Sequence, residues 1–166
     1  METLPPAAER FIEDFALAIE ASGMPRTAGR IFGLLLMLDE GAGLEELAKR
    51  LRVSRAGVST NTRLLESLGA IERYGAVGER RLHYRVADFR YVRFTEAALA
   101  RMRKIQGIAR ETRRQLPAAM SNARRRLDGL DEYYQASIET AEAVLARLRS
   151  QAPGRRGSRR QRGAAR

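Results

Sequence analysis

The chain has 166 residues, 44% hydrophobic and 31% charged, which is enough apolar material for a buried core of its own. It has no cysteine and one histidine, which excludes disulfides, thiolate catalysis, cysteine-held metals and any metal site needing two histidines. The formal net charge of +11 at pH 7 predicts attraction to polyanions, nucleic acid foremost, and says nothing of fold.

The N-terminus, METLPPAAERFIEDF, carries acids where a signal peptide would carry positive charge. The longest apolar run, Ile31 to Leu38, falls far short of the roughly 20 residues that span a bilayer, so a cytoplasmic protein without a membrane partner is expected. From Ala7 to Ser22, the residues Ala8, Phe11, Ile12, Phe15, Ala16 and Ile19 make one helical stripe, introduced by Pro5 and Pro6 and closed by Gly23. Thr27 to Leu38 reads as a second, more uniformly apolar helix, in which Gly29 and Gly33 lie one turn apart and let another helix come close. At its start, Arg26 and the free amides near Thr27 either hold a DNA phosphate or form a simple cap beside a solvated arginine.

Leu44, Leu47, Ala48 and Leu51 recur at the spacing of one buried helical face. Arg52 and Val53 then make a tight turn, and Ser54 is the N-cap of a further helix over 54–68. On a helical wheel Val58, Thr62, Leu65 and Leu68 fall on one side, while Ala56, Ser59, Thr60, Arg63 and Ser67 fall on the other. That second side suits a DNA major groove. Its short side chains let the backbone approach base edges, and Arg63 is the leading candidate to fork onto a guanine. The alternative is the solvated side of an amphipathic helix.

Gly69 stops this helix, and Ile71 to Tyr74 and Leu82 to Val86 read as strands around a turn containing Gly75 and Gly78. Leu82, Tyr84 and Val86 alternate with Arg81, His83 and Arg85, giving one apolar and one basic face. The hairpin reads as a wing whose Arg80 and Arg81 reach phosphates or an adjacent minor groove; the alternative is an exposed, solubilising turn.

Asp88 to Leu116 reads as a long helix, with Val92, Leu99, Met102, Ile105, Ile108, Thr112 and Leu116 near one side, and Pro117 interrupts it. From Ala118 to Ser150 the positions Leu127, Leu130, Tyr134, Ile138, Ala141, Leu145 and Leu148 alternate threes and fours, the mark of a seam between helices, with Gly129 a candidate break. The two helices form a hairpin too long for one winged domain to cover, so a homodimer is expected, the alternative being an intramolecular bundle. Two reading helices related by a twofold axis then meet inverted half-sites. Residues 151–166 hold six arginines, no acid and no large apolar side chain. They are expected to be disordered, and either add sequence-independent affinity for DNA or stand idle.

The runs GMPRTAGRIFGLLLMLDEG, LEELAKRLRVSRAGVSTNTRLLESLGAIERY and GERRLHYRV together resemble the GbsR-type branch of the MarR-like winged-helix transcriptional regulators, over roughly residues 9 to 95. Ser54, Arg55, Val58 and Ser59 match the core of that branch's reading helix, which adds Ser54 and Arg55 to the DNA-facing set. The wing departs from the usual wording, with Gly78, Glu79, Arg80, Arg81 and then His83 and Tyr84. The resemblance implies a bacterial homodimer that binds a palindromic operator, often as a repressor, and so one associated with the nucleoid when bound. Some members sense choline, which needs an aromatic cage. With no tryptophan and scattered aromatics here, that ligand is not carried over.

Nothing points to an enzyme or a cofactor. The acid pairs Glu45 with Glu46 and Asp131 with Glu132 are helix neighbours that diverge, and no phosphate-binding glycine loop is present. The expectation is a mainly α protein: a winged helix-turn-helix over 1–87 with a small β-hairpin wing, long dimerisation helices over 88–150, and an arginine-rich tail over 151–166. Its partners are double-stranded DNA and a second copy. A small-molecule effector of unknown identity would sit where Tyr84, Phe89, Tyr91 and Phe94 gather at the junction of wing and long helices, although aromatics there also suit a core. The competing functions are nonspecific DNA packaging and a winged-helix protein-interaction module.

Overall fold

A computed structural model of the protein describes residues 4–75, 82–87 and 91–150. Pro6 opens α1 (Pro6–Ala21), where its missing amide costs no hydrogen bond. Ile12 and Ala16 are buried on its inner side, and the amides of Ser22 and Gly23 return to the carbonyls of Ile19 and Glu20 to end it. α2 (Arg26–Leu36) packs across α1 at small residues. A Cβ on Gly29 would stand 2.8 Å from the Ala16 Cα, so the two backbones meet where a larger residue cannot fit. The helix ends two residues earlier than its apolar run suggests, because the amides of Met37 and Leu38 tighten onto Leu34 and Leu35.

The first strand, β1 (Ala42–Gly43), has no counterpart in the sequence reading, since two residues carry no alternation to detect. Gly41 leads into it with φ +74°, and a Cβ there would lie 2.2 Å from the Tyr84 carbonyl oxygen. Only glycine meets both conditions. α3 (Leu44–Leu51) buries Leu47 and Leu51, and α4 (Arg55–Ser67) buries Val58, Thr62 and Leu65. Asn61 is buried with them, its Nδ2 donating to the Gly57 carbonyl at 2.8 Å, so its polarity is satisfied within its own helix.

β2 (Ile71–Gly75) and β3 (Leu82–Val86) pair antiparallel, with Ile71 opposite Val86 and Gly75 opposite Leu82, and β1 joins the far edge of β3 at His83 and Tyr84. The sheet order is β1-β3-β2. The apolar face expected of β3 holds for Tyr84, which is buried, and for Val86, which is half-buried. It fails at Leu82, 53% exposed, which lies past the residues that β1 pairs. Ile12, Ile31, Leu34, Leu35, Leu47 and Val58 head one core joining α1–α4 to the sheet.

α5 (Val92–Gln115) and α6 (Ser121–Ser150) run antiparallel around a second cluster of Leu99, Ile138 and Leu145. Ion pairs step along the hairpin from Arg149–Glu96 at its open end through Arg103–Glu142 to Arg113–Asp128 near its closed end. Leu116 is extended before Pro117, and α6 starts later than its apolar spacing suggests because residues 118–120 form the turn. Gly129, a candidate break, lies inside an unbroken α6. The whole is mainly helical, with a small antiparallel sheet in the order of a winged helix-turn-helix.

Candidate DNA-binding surface

The turn between α3 and α4 is set by backbone geometry. Arg52 adopts the left-handed conformation at φ 54°, the Val53 amide returns to the Ala48 carbonyl at 3.1 Å, and the Ser54 Oγ accepts the Gly57 amide at 3.1 Å. α4 then presents Arg55, Ala56, Thr60, Arg63 and Ser67 to solvent, with Ser54 exposed at its start and Ser59 half-buried. These side chains share the side opposite Val58, Thr62 and Leu65.

Arg63 makes no ion pair among the described residues, so its guanidinium is available to an incoming acceptor. Arg55 pairs with Glu45 at 3.6 Å, but both are well exposed. Such a pair contributes at most about 1 kcal/mol and exchanges easily for a phosphate. Lys49 and Arg52 are exposed beside the turn and have no acid partner among the described residues; as parts of α3 and its connection they carry no local signal of a binding role.

Glu13 on α1 holds Arg26 at 3.1 Å and Arg30 at 2.7 Å, and the same Arg30 donates to the Leu51 carbonyl at 3.0 Å. Arg26 is thus an exposed residue at the start of α2 that is also ion-paired, and Thr27 beside it is half-buried. Arg30, absent from the sequence-based candidates, is the link from these helices to the turn before α4. Its role depends on a carbonyl 21 residues away, which no local pattern reveals.

On the wing, Arg85 lies 4.7 Å above the Tyr74 ring and pairs with Glu72, while Arg73 pairs with Glu66. The Tyr74 hydroxyl donates to the Glu40 carbonyl, tying the wing to the loop before β1. The His83 ring packs against Tyr74 at 5.8 Å. Arg80 and Arg81 lie outside the described residues, as does the tail over 151–166. Residues 1–87 carry twelve lysines and arginines against twelve aspartates and glutamates, so the winged part has no net charge and its attraction to DNA is local to particular faces.

The aromatics expected at an effector site differ in exposure. Tyr84 is buried in the winged core, Tyr91 and Phe94 are each 40% exposed, and Phe89 lies outside the described residues. A cleft of about 670 Å³ does lie between the end of α4, β2 and the start of α5, but charged Glu66, Glu72, Arg73, Arg93 and Glu96 line it. Among the described residues no group of three or more metal-ligating side chains comes together. No described helix is long and apolar enough to cross a membrane.

Of the six residues proposed for a subunit interface, Ile138 and Leu145 are buried against α5 of the same chain; Leu127, Tyr134 and Leu148 are half-buried, and Leu130 is exposed. A second apolar stripe faces outward instead: Phe94, Ile105 and Ile108 on α5, with Leu130, Tyr133 and Val144 on α6. Between the helices, buried Gln106 donates to Asp131 at 2.8 Å and to Gln135 at 3.0 Å, while the Arg110 Nε donates to both Asp131 oxygens at 2.8 and 2.9 Å. The bonds from Arg110 hold the Asp131 carboxyl below the usual aspartate range, with Gln106 adding to them and desolvation opposing.

No family model matches the sequence. The chain is 34% identical over 123 residues, 74% of its own length and 74% of its relative's, to the HTH-type transcriptional regulator MmpR5 of Mycobacterium tuberculosis. A solved structure, the crystal structure of a transcriptional regulator, is similar at a TM-score of 0.80 and 30% identity, covering 88% of this chain and 100% of that one. Both relatives are transcriptional regulators, not enzymes.

Proposed function

The chain belongs to the HTH-type transcriptional regulators, and on that premise we propose that it is a homodimeric repressor of the GbsR-type, MarR-like branch that reads a palindromic operator. α4 lies in the major groove, with Arg63 forking onto a guanine and Ser59, Thr60 and Ala56 against neighbouring base edges. Ser54, Arg55, Arg26 and Thr27 stand near phosphates, and the wing with Arg80 and Arg81 follows the flanking minor groove or backbone. Residues 1–87 form the DNA-binding unit, and 88–150 the dimerisation unit. The protein works in the cytoplasm, at the nucleoid when bound.

The observation that carries this reading is the two-sidedness of α4. One side is sealed into the core, and the other offers an arginine with no ion pair among the described residues, set among small polar side chains behind a turn that Ser54 and Arg52 fix. A subunit interface is supported by the outward apolar stripe of α5 and α6, whose Ile108 and Tyr133 are 58% and 65% exposed. Twofold pairing places the two copies of α4 in successive major grooves about 34 Å apart.

The test is fluorescence anisotropy at physiological salt, comparing DNA upstream of the protein's own gene with a shuffled duplex of equal length. A preference of about a thousandfold is the expected outcome. Equal, strongly salt-sensitive binding to both would replace sequence reading with packaging, and no binding to either would leave a protein-interaction module.

A further inference from the structure

We propose that the closed end of the α5–α6 hairpin is a second, sequence-independent DNA-binding surface, which holds the phosphate backbone of a duplex other than the one under α4. The inference rests on the DNA-binding reading above. Six arginines and one acid, Glu111, fall between residues 110 and 126. Three of the arginines have carboxylate partners: Arg110 on Asp131, Arg113 on Asp128 and Arg114 on Glu111. Arg124, Arg125 and Arg126 have none among the described residues. Arg124 donates to the Leu116 carbonyl at 2.6 Å and so caps α5, and among the described residues Arg125 reaches only the Asn122 side chain.

Among the described residues no carboxylate draws on the charge of Arg125 or Arg126. They are exposed in the first two turns of α6, where the positive end of the helix dipole opposes them. A hairpin shaped for stability alone would carry acids there, and the first turn of α6 has none. A polyanion offsets that repulsion. Residues 1–87 balance positive and negative charges, so the chain's +11 is carried by the six arginines of 151–166 and by a net +5 over 88–150, to which Arg124, Arg125 and Arg126 belong.

Distance separates the two surfaces. α5 starts beside Gly69 at the end of α4 and its 24 residues run about 36 Å, more than three Debye lengths at 0.1 M salt, so the arginines at its far end should add little to the hold on a short duplex under α4. A phosphate backbone suits the patch better than a lipid surface does. Met120, 48% exposed, is the one large apolar side chain of the turn, beside Ala118 and Ala119, and an interfacial anchor needs a broad apolar face.

The test uses the full chain, the variant R114Q/R125Q/R126Q, and R155Q/R156Q/R159Q as a control with equal charge loss. Each protein is loaded on an immobilised short duplex and offered a dye-labelled duplex of unrelated sequence. The wild type and the control should capture the second duplex. The hairpin variant should capture about tenfold less or worse, while it binds the immobilised duplex within about twofold of wild type and melts no lower. No capture by the wild type, equal capture by the hairpin variant, equal loss in the control, or binding of phosphatidylglycerol vesicles in place of the duplex would each overturn the proposal. Any immobilised duplex serves, so equal loading on upstream and shuffled DNA would defeat sequence reading by α4 while the capture comparison still decides the hairpin.

Discussion

Arg30 Nη1 donates to the Leu51 carbonyl at 3.0 Å while its Nε holds Glu13 at 2.7 Å, so one guanidinium fastens α1 and α2 to the end of α3. Leu51 is the last residue of α3, and Arg52 and Ser54 follow directly into α4. Arg30→Ala is expected to lower stability by about 1–3 kcal/mol in urea melts, with weaker operator binding beside it. Arg30→Lys, unable to fork, should recover only part of either. A fully stable Arg30→Ala protein would remove this link from the account of how α4 is placed.

Arg63→Ala tests the reading face itself. Because Arg63 has no ion pair among the described residues, its removal should leave the melting temperature unchanged. Operator affinity should fall by about 1–3 kcal/mol, and binding to shuffled DNA should change little. Equal loss on both duplexes, measured by anisotropy, would reduce Arg63 to a phosphate contact.

Gly41→Ala meets two obstacles at once, a left-handed backbone at φ +74° and the Tyr84 carbonyl 2.2 Å from the new Cβ. A loss of at least about 2 kcal/mol is expected by denaturant titration. Gly75→Ala is the contrast, since nothing lies within 4 Å of its Cβ position, and it should be near neutral.

Asp131 makes the hairpin's stability depend on acidity. Its carboxyl titrates below the usual value of about 3.9, chiefly because Arg110 donates to both oxygens. A depressed carboxylate contributes stability that is fully present above its unfolded-state value and fades as pH falls through the folded one. The gap in melting temperature between wild type and Asp131→Asn should therefore be widest near neutrality and shrink below about pH 4. A gap independent of pH would assign the effect to shape and not to charge.

Ile108→Glu and Val144→Glu place charge in the outward stripe, where the present residues are 58% and 46% exposed. Sedimentation should show monomers for both, with folding intact, because neither side chain belongs to the buried cluster of Leu99, Ile138 and Leu145. Dimers that survived both changes would move the interface elsewhere.

The order of elements was legible because amphipathic spacing and a serine cap mark α3 and α4 locally, and alternation marks β2 and β3. The strand Ala42–Gly43 was not, being defined by its pairing with His83 and Tyr84. Spacing also placed Leu99, Met102, Ile105 and Ile108 in one stripe, although α6 covers Leu99 and leaves Ile105 and Ile108 outside. Period fixes which residues share a face, while the direction from which a neighbour arrives is a tertiary fact. Arg30 shows the same limit for the site: its neighbours in sequence predict a helix, and its work is done on a carbonyl of another.

The balance of twelve cations and twelve anions in residues 1–87 bears on how an operator would be found. Sliding along a chromosome requires a steady, sequence-blind grip, and that grip comes from counterion release under net positive charge. On the proposed reading, a winged unit without such net charge holds DNA through a few exposed cations, Arg55 toward a phosphate and Arg63 toward base edges. On its own it would sample DNA in brief touches, leaving lingering and travel to the arginines carried outside the head.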